Sequence, residues 1–156
     1  VTVAVRRQIW TETHYMDSNP FLHVRSSKLG VMPGEDDELV NEGMYGKAFS
    51  EYLRDALARN GYQATQVVCE DWGWWVTIAG LQFSCGIGIY GIRIDDSDDL
   101  DLCATVLTPR GKKWSWGRFG FLDTTAEVDR LHQTIRGICT ADEDVTIVAE
   151  KPDFPF

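Results

Sequence analysis

No run of this chain approaches the roughly 20 consecutive apolar residues that a membrane-spanning helix requires, so a membrane is not an expected partner. Residues 1–10 alternate in polarity and carry Arg6 and Arg7, which is not the apolar core of a secretory signal. Basic residues are few: 15 Lys and Arg stand against 24 Asp and Glu, for a formal charge of −9. A protein that grips phosphate backbones needs a clustered basic surface, so this balance argues against nucleic acid as the partner. Cysteine is scattered as well. Cys69, Cys85, Cys103 and Cys139 form no C-x-x-C pair, unlike the dense spacing of a disulfide-held secreted scaffold. Each lies in an apolar pattern, where a free thiol behaves as a small hydrophobe. Reduced core cysteines and a cytoplasmic location are the expectation. His14, His23 and His132 have no metal-ligand spacing, and a zinc site or a Cys–His nucleophile pair would have to be assembled by the fold.

What is present is the composition of one globular domain. A chain of 156 residues can bury a core without disulfides or a structural metal. Its 12% aromatic content (six Trp, five Tyr, seven Phe) excludes a disordered chain.

The apolar periodicity sketches the elements. Val1, Val3 and Val5 suggest an opening strand, residues 17–20 (Asp-Ser-Asn-Pro) a turn, and residues 21–25 a short strand. Residues 30–43 read as a loop with an exposed acidic centre, Glu35, Asp36, Asp37 and Glu38. Tyr45, Ala48, Phe49, Tyr52, Leu53, Ala56 and Leu57 recur at helical spacing, and Asn60-Gly61 supplies a left-handed stop. The period then falls to two. Residues 65–69 and 74–78 read as strands, and residues 82–94 and 100–107 as a long hairpin across an acidic tip. In its second arm Leu100, Leu102, Ala104 and Val106 face one way and Asp101, Cys103 and Thr105 the other. Thr124 followed by Glu127 is a capping-box pattern for a second helix with Val128, Leu131, Ile135 and Ile138 inward. A last strand at 145–149 precedes a Pro-rich tail. With no repeat or linker, the expected fold is a single α+β domain: a mainly antiparallel sheet of five to six strands with two helices on one face.

Three clusters are candidates for a working surface. Glu70-Asp71-Trp72-Gly73-Trp74-Trp75 sets two carboxylates beside three indoles, which could wall a ligand cleft or tune a general acid, or simply form a turn entering a strand. Asp95, Asp96, Asp98 and Asp99, followed by Asp101, fail the calcium-loop pattern, having no Gly at the sixth position and an apolar residue at the twelfth. They read as a solvated turn or as a patch for a basic partner. Residues 112–119 interleave Lys112, Lys113 and Arg118 with Trp114, Trp116 and Phe119, the make-up of an interaction loop or a packed turn. Gly86, Gly88 and Gly91 match G-x-G-x-x-G, but no helix follows to take a pyrophosphate, so no dinucleotide or other cofactor is expected.

The segment from Asn41 to Ala48 (Asn-Glu-Gly-Met-Tyr-Gly-Lys-Ala), the helix after it, Asn60-Gly61-Tyr62 and Glu70-Asp71-Trp72-Gly73-Trp74 together resemble a family of small uncharacterised bacterial proteins. In that family a "YGK" helix precedes an "EDWGW" turn. The resemblance covers the middle third of the chain, implies a bacterial, cytoplasmic origin and lends no catalytic residue. Two readings follow. One is a non-catalytic acidic binding protein, of the immunity or inhibitor type, that occludes a basic protein partner. The other is a small enzyme or ligand-binding protein with a cleft lined by Trp72, Trp74, Trp75, Trp114 and Trp116 and with Glu70 or Asp71 as acid/base.

Overall fold

The computed structural model describes residues 19–156; the expected opening strand lies outside them. Eight strands and two helices follow in the order β1 (Phe21–Arg25), α1 (Lys47–Arg59), β2 (Gln63–Glu70), β3 (Gly73–Ala79), β4 (Cys85–Arg93), β5 (Leu100–Val106), β6 (Lys112–Ser115), β7 (Gly120–Asp123), α2 (Thr125–Ala141) and β8 (Thr146–Lys151). Six strands form one sheet in the order β2-β3-β4-β5-β1-β8, and every neighbouring pair is antiparallel. β6 and β7 form a separate two-stranded ribbon. The fold is the α+β domain that the periodicity implied.

Alternation decides the two sheet faces. Leu22 and Val24 of β1, Trp74, Val76 and Ile78 of β3, Ile87 and Ile89 of β4, and Leu100, Leu102, Ala104 and Val106 of β5 all join one core. Phe49, Leu53 and Leu57 of α1 and Val128, Leu131, Ile135 and Cys139 of α2 enter the same core, so both helices cover one face. Burying such side chains stabilises the fold by about 1.5–3 kcal/mol each. All four cysteines are free, three of them fully buried. Burial pushes the Cys103 thiol well up and the Cys139 thiol to about 12.

The opposite face carries aromatics. Trp75 lies across Gly86, where a Cβ would fall 2.0 Å from its ring. Trp72 meets Trp75 edge-on with ring centroids 6.3 Å apart and tilts against Tyr90 at 5.6 Å. The Pro-rich tail crosses this face as a strap. Phe154 packs on Phe21 (5.7 Å) and Tyr90 (5.1 Å), and Phe156 meets the His23 ring at 5.6 Å.

The helix ends show which local signals held. Gly61, at φ +89°, closes α1 with Gly61 N–H donating to Ala58 O and Tyr62 N–H to Leu57 O, as Asn60-Gly61 implied. The capping box at α2 does not form. The Thr124 hydroxyl donates to Pro109 O (2.6 Å) instead, Asp123 Oδ1 accepts the Thr125 N–H (2.9 Å), and Glu127 pairs with Arg130 (3.0 Å). Thr124 is fully buried beneath the incoming loop, and its backbone N–H donates to Gly111 O of that loop at 2.9 Å.

The acidic loop before α1 holds the largest departure. Glu35 was expected in solvent with its neighbours, yet it is fully buried. Its Oε1 accepts the N–H of Gly46 and of Lys47, both at 2.8 Å, and Oε2 accepts the Met32 N–H at 2.9 Å. The carboxylate thus caps α1 from 11 residues upstream. Gly46, at φ +140°, offers no side chain for that task.

Candidate functional site

The two acidic clusters, far apart in sequence, meet at one end of the sheet. Val31 N–H donates to Asp98 O at 2.9 Å, and Gly30 lies so close that a Cβ there would fall 2.5 Å from the same oxygen. Arg93, at the end of β4, ties the loops by side chain. Its guanidinium donates to Asp98 Oδ1 at 2.8 Å, lies 3.9 Å from Asp36 Oδ2 and sits over the Tyr45 ring at 4.9 Å. The Tyr45 hydroxyl donates to Asp36 Oδ1 at 2.6 Å, which is the first cause of its raised pKa. Asp95, Asp96, Asp98 and Asp99 are all exposed, as are Asp36, Asp37 and Glu38. Glu38 pairs with Lys47 at the start of α1.

A groove of about 550 Å³ opens beside these loops, its walls including Lys28, Glu51, Tyr52, Asp55, Asp98 and Asp99. Of its four wall carboxylates, Asp55 pairs with Arg54 and Asp98 with Arg93, both at 2.8 Å, and the one wall ammonium, Lys28, is engaged 2.6 Å from Asp142 Oδ2. The Tyr52 hydroxyl donates to the same Asp142 oxygen at 2.8 Å. These hydrogen bonds, from Lys28 first, hold the Asp142 carboxyl below the usual range. Clustered carboxylates on a low-dielectric surface attract a cationic protein at long range and raise its association rate.

The Trp-rich candidates do not converge in the same way. Trp74 is a core residue, 2% exposed, on the helix-covered face, and so cannot wall a cleft. It alternates with Trp75, and strand pleating sends the two to opposite faces. Trp72 and Trp75 belong to the outer aromatic layer, while Trp114 and Trp116 pack on each other in the β6–β7 ribbon at 5.9 Å. Five indoles lining one cleft is therefore corrected to three separate placements. Glu70 and Asp71 lie exposed at the β2–β3 turn.

The histidines are also accounted for. His23 Nε2 lies 2.7 Å from Asp101 Oδ1, and Arg25 engages the same carboxylate. His23 is register partner to Cys103 across β1 and β5, so the fold does bring a thiol, an imidazole and a carboxylate together. Cys103 is fully buried, however, and desolvation favours its thiol over the thiolate a nucleophile requires. His132 is buried against Glu150 at 3.2 Å, and His14 lies outside the described residues. Among the described residues, no three His, Cys, Asp or Glu side chains group so as to hold a metal ion.

Sequence reasoning missed Arg93, the groove residues Glu51 and Asp55, and the exposure of Phe121. Glu51 and Asp55 sit at i and i+4, which places them on one helix face; that spacing was the available signal. Nothing local marks Arg93 as a bridge between loops about 60 residues apart. Among the described residues, no helix is long and apolar enough to cross a membrane. Comparison with known proteins returns no matching family model, no matching curated protein and no matching solved structure.

Proposed function

We propose that this chain is a non-catalytic binding protein that occludes a basic protein partner with its acidic end, in the manner of an immunity or inhibitor protein. The observation that carries the reading is the union of the 35–38 and 95–99 loops through Arg93 and Val31, beside a groove walled by Glu51, Asp55, Asp98 and Asp99. Charge concentrated on one preformed, backbone-braced surface is suited to rapid capture, because little ordering is left to occur on binding. The Arg93 clamp also holds its neighbours' carboxylates in fixed positions, which favours one partner geometry over others.

The test is capture by the immobilised chain from a panel of purified proteins with pI above about 9, the charge class that acidic steering selects. Asp98→Lys combined with Asp99→Lys should slow association at least roughly tenfold and flatten its salt dependence. Glu70→Gln with Asp71→Asn should leave capture unchanged. Capture that survives the lysine pair but fails with the Glu70 and Asp71 pair would reject the acidic-end reading.

A further inference from the structure

Among the described residues, no other strand covers the apolar face of the β6–β7 ribbon. Trp114 and Phe121 are register partners, and their rings meet edge-on at 5.3 Å. Trp116 and Phe119 extend the cluster into the turn, with centroids 6.4 Å apart, and Phe119 takes a left-handed φ of +51° there. Packing within the cluster leaves it in water: Trp114 is 42% exposed, Phe121 71%, Trp116 77% and Phe119 81%. A two-stranded ribbon with both edges free is marginal in water unless its apolar face meets a further layer. Its base is tied down by Thr124 N–H donating to Gly111 O, and its turn by Arg118 donating to Gln82 Oε1 at 2.6 Å. The aromatic face is thereby held out from the sheet.

We infer that this ribbon is a dimerisation surface, and that its occupant is the ribbon of a second copy of the chain in a two-fold, self-complementary contact. Area is the first argument. At the fractions above, the four rings leave on the order of 500 Å² exposed. A two-fold contact burying them on both copies, with the flanking aliphatic stems, reaches roughly 1,200 Å², the lower bound of stable specific interfaces. A contiguous patch of this size falls toward the upper end of the roughly 300–600 Å² that the largest patch of a monomer reaches, where such patches are often functional.

Charge placement is the second. Lys112, Lys113 and Arg118 make this segment cationic in a chain of net charge −9, with Asp123 its only carboxylate. The ribbon follows the C-terminal end of β5, whereas the 95–99 loop precedes its N-terminal end. Seven residues of strand, about 3.3 Å apiece, separate the two ends of the molecule. A contact through the ribbons lets two acidic molecules meet where their carboxylates are sparsest and turns both acidic ends outward. Dimerisation therefore leaves the surface proposed for the basic partner free, and the assembly is bivalent.

Sedimentation velocity across micromolar concentrations, at low and high salt, tests this directly. The wild-type chain should pass from monomer to dimer, with salt strengthening the dimer by screening mutual repulsion. Trp116→Ser with Phe119→Ser should weaken it at least roughly tenfold, since two exposed aromatic anchors are lost. An unchanged far-UV spectrum and urea midpoint would establish that this variant folds. Cross-linking supplies a second readout. Gly117→Cys, at a position with open space around it, in a Cys69→Ser background should give a tip-to-tip dimer with a short bis-maleimide. Three results would each overturn the inference: a wild-type chain monomeric throughout, a dimer indifferent to the serine pair, or a dimer that weakens with salt and with Asp98→Lys. The last would mean that the ribbon docks in the acidic groove of a neighbour. Capture of a basic protein by a strictly monomeric chain would refute dimerisation while leaving the acidic-end reading intact.

Discussion

Removing Glu35 should cost this fold far more than removing any other carboxylate of its acidic run. The side chain accepts three backbone N–H groups: that of Gly46, which is buried, and those of Lys47 and Met32, which are half-buried. Hydrogen bonds to a charged acceptor contribute about 1.5–3 kcal/mol each, and substituting a helix cap costs about 0.5–2 kcal/mol. In Glu35→Ala, water entering the vacated space can satisfy the Met32 and Lys47 donors in part, but the Gly46 donor is left unpaired. Setting that relief against the lost bonds, we expect a destabilisation of about 3–5 kcal/mol. With a urea slope of about 2 kcal/mol per molar, the midpoint should fall by about 2 M. Glu35→Gln retains one carbonyl oxygen for Gly46 and Lys47 but turns an amide N–H₂ toward the Met32 donor, and should lose about half as much. Glu38→Ala removes only an exposed ion pair with Lys47 and should shift stability by less than about 1 kcal/mol. The assay is equilibrium urea unfolding of the three variants, with hydrogen exchange at the Gly46 and Lys47 amides as a local readout. If Glu35→Ala and Glu38→Ala unfold within about 0.5 M of each other, the capping argument is wrong.

Other sites give sharper contrasts. Gly137→Ala, on the exposed side of α2 with no atom near its Cβ position, should raise stability by about 0.4–1 kcal/mol. Gly86→Ala would drive a methyl into the Trp75 ring and should cost about 1–3 kcal/mol, seen both in thermal unfolding and as a shift in Trp fluorescence. Native thiol labelling should modify Cys69, which is half-buried, and spare Cys85, Cys103 and Cys139 until denaturant is added; rapid labelling of Cys103 would contradict its burial. Asp101 is held below the usual carboxylate range by Arg25 first and His23 second, as Asp142 is by Lys28 and Tyr52. Because these folded values lie below the unfolded one of about 3.9, their stabilisation is complete above that pH and is lost as pH falls through the folded values. The urea midpoint should therefore drop as pH falls below about 4, and Asp101→Asn should show a shallower drop.

Where periodicity and burial coincide, the fold was legible in the residues themselves. The 3.6-residue stripe from Phe49 to Leu57 and the alternation of Leu100, Leu102, Ala104 and Val106 named their buried faces correctly, because geometry leaves a helix or strand one way to hide those positions. The turns at Asn60-Gly61 and residues 95–99 were legible for a similar reason, since backbone conformation there depends on adjacent residues. The ribbon at 112–123 was not. Its aromatics carry no inward alternation because its face looks outward, so residues 112–119 read as an interaction loop or a packed turn.

Composition and local pattern thus determined by themselves an acidic α+β domain with two dense carboxylate clusters and an aromatic, cationic segment. They could not determine which carboxylates remain available. Identical residue types three positions apart met opposite fates, Glu35 under the first turn of α1 and Glu38 in solvent. Only tertiary structure decided that, since the donors Glu35 satisfies arrive from 11 and 12 residues away. The meeting of the two acidic loops through Arg93, and the dispersal of the indoles between core, outer face and ribbon, were likewise settled by long-range pairing. Local sequence governs dihedral angles and periodicity, whereas the neighbours of a charge are chosen by which strands pair and in what register.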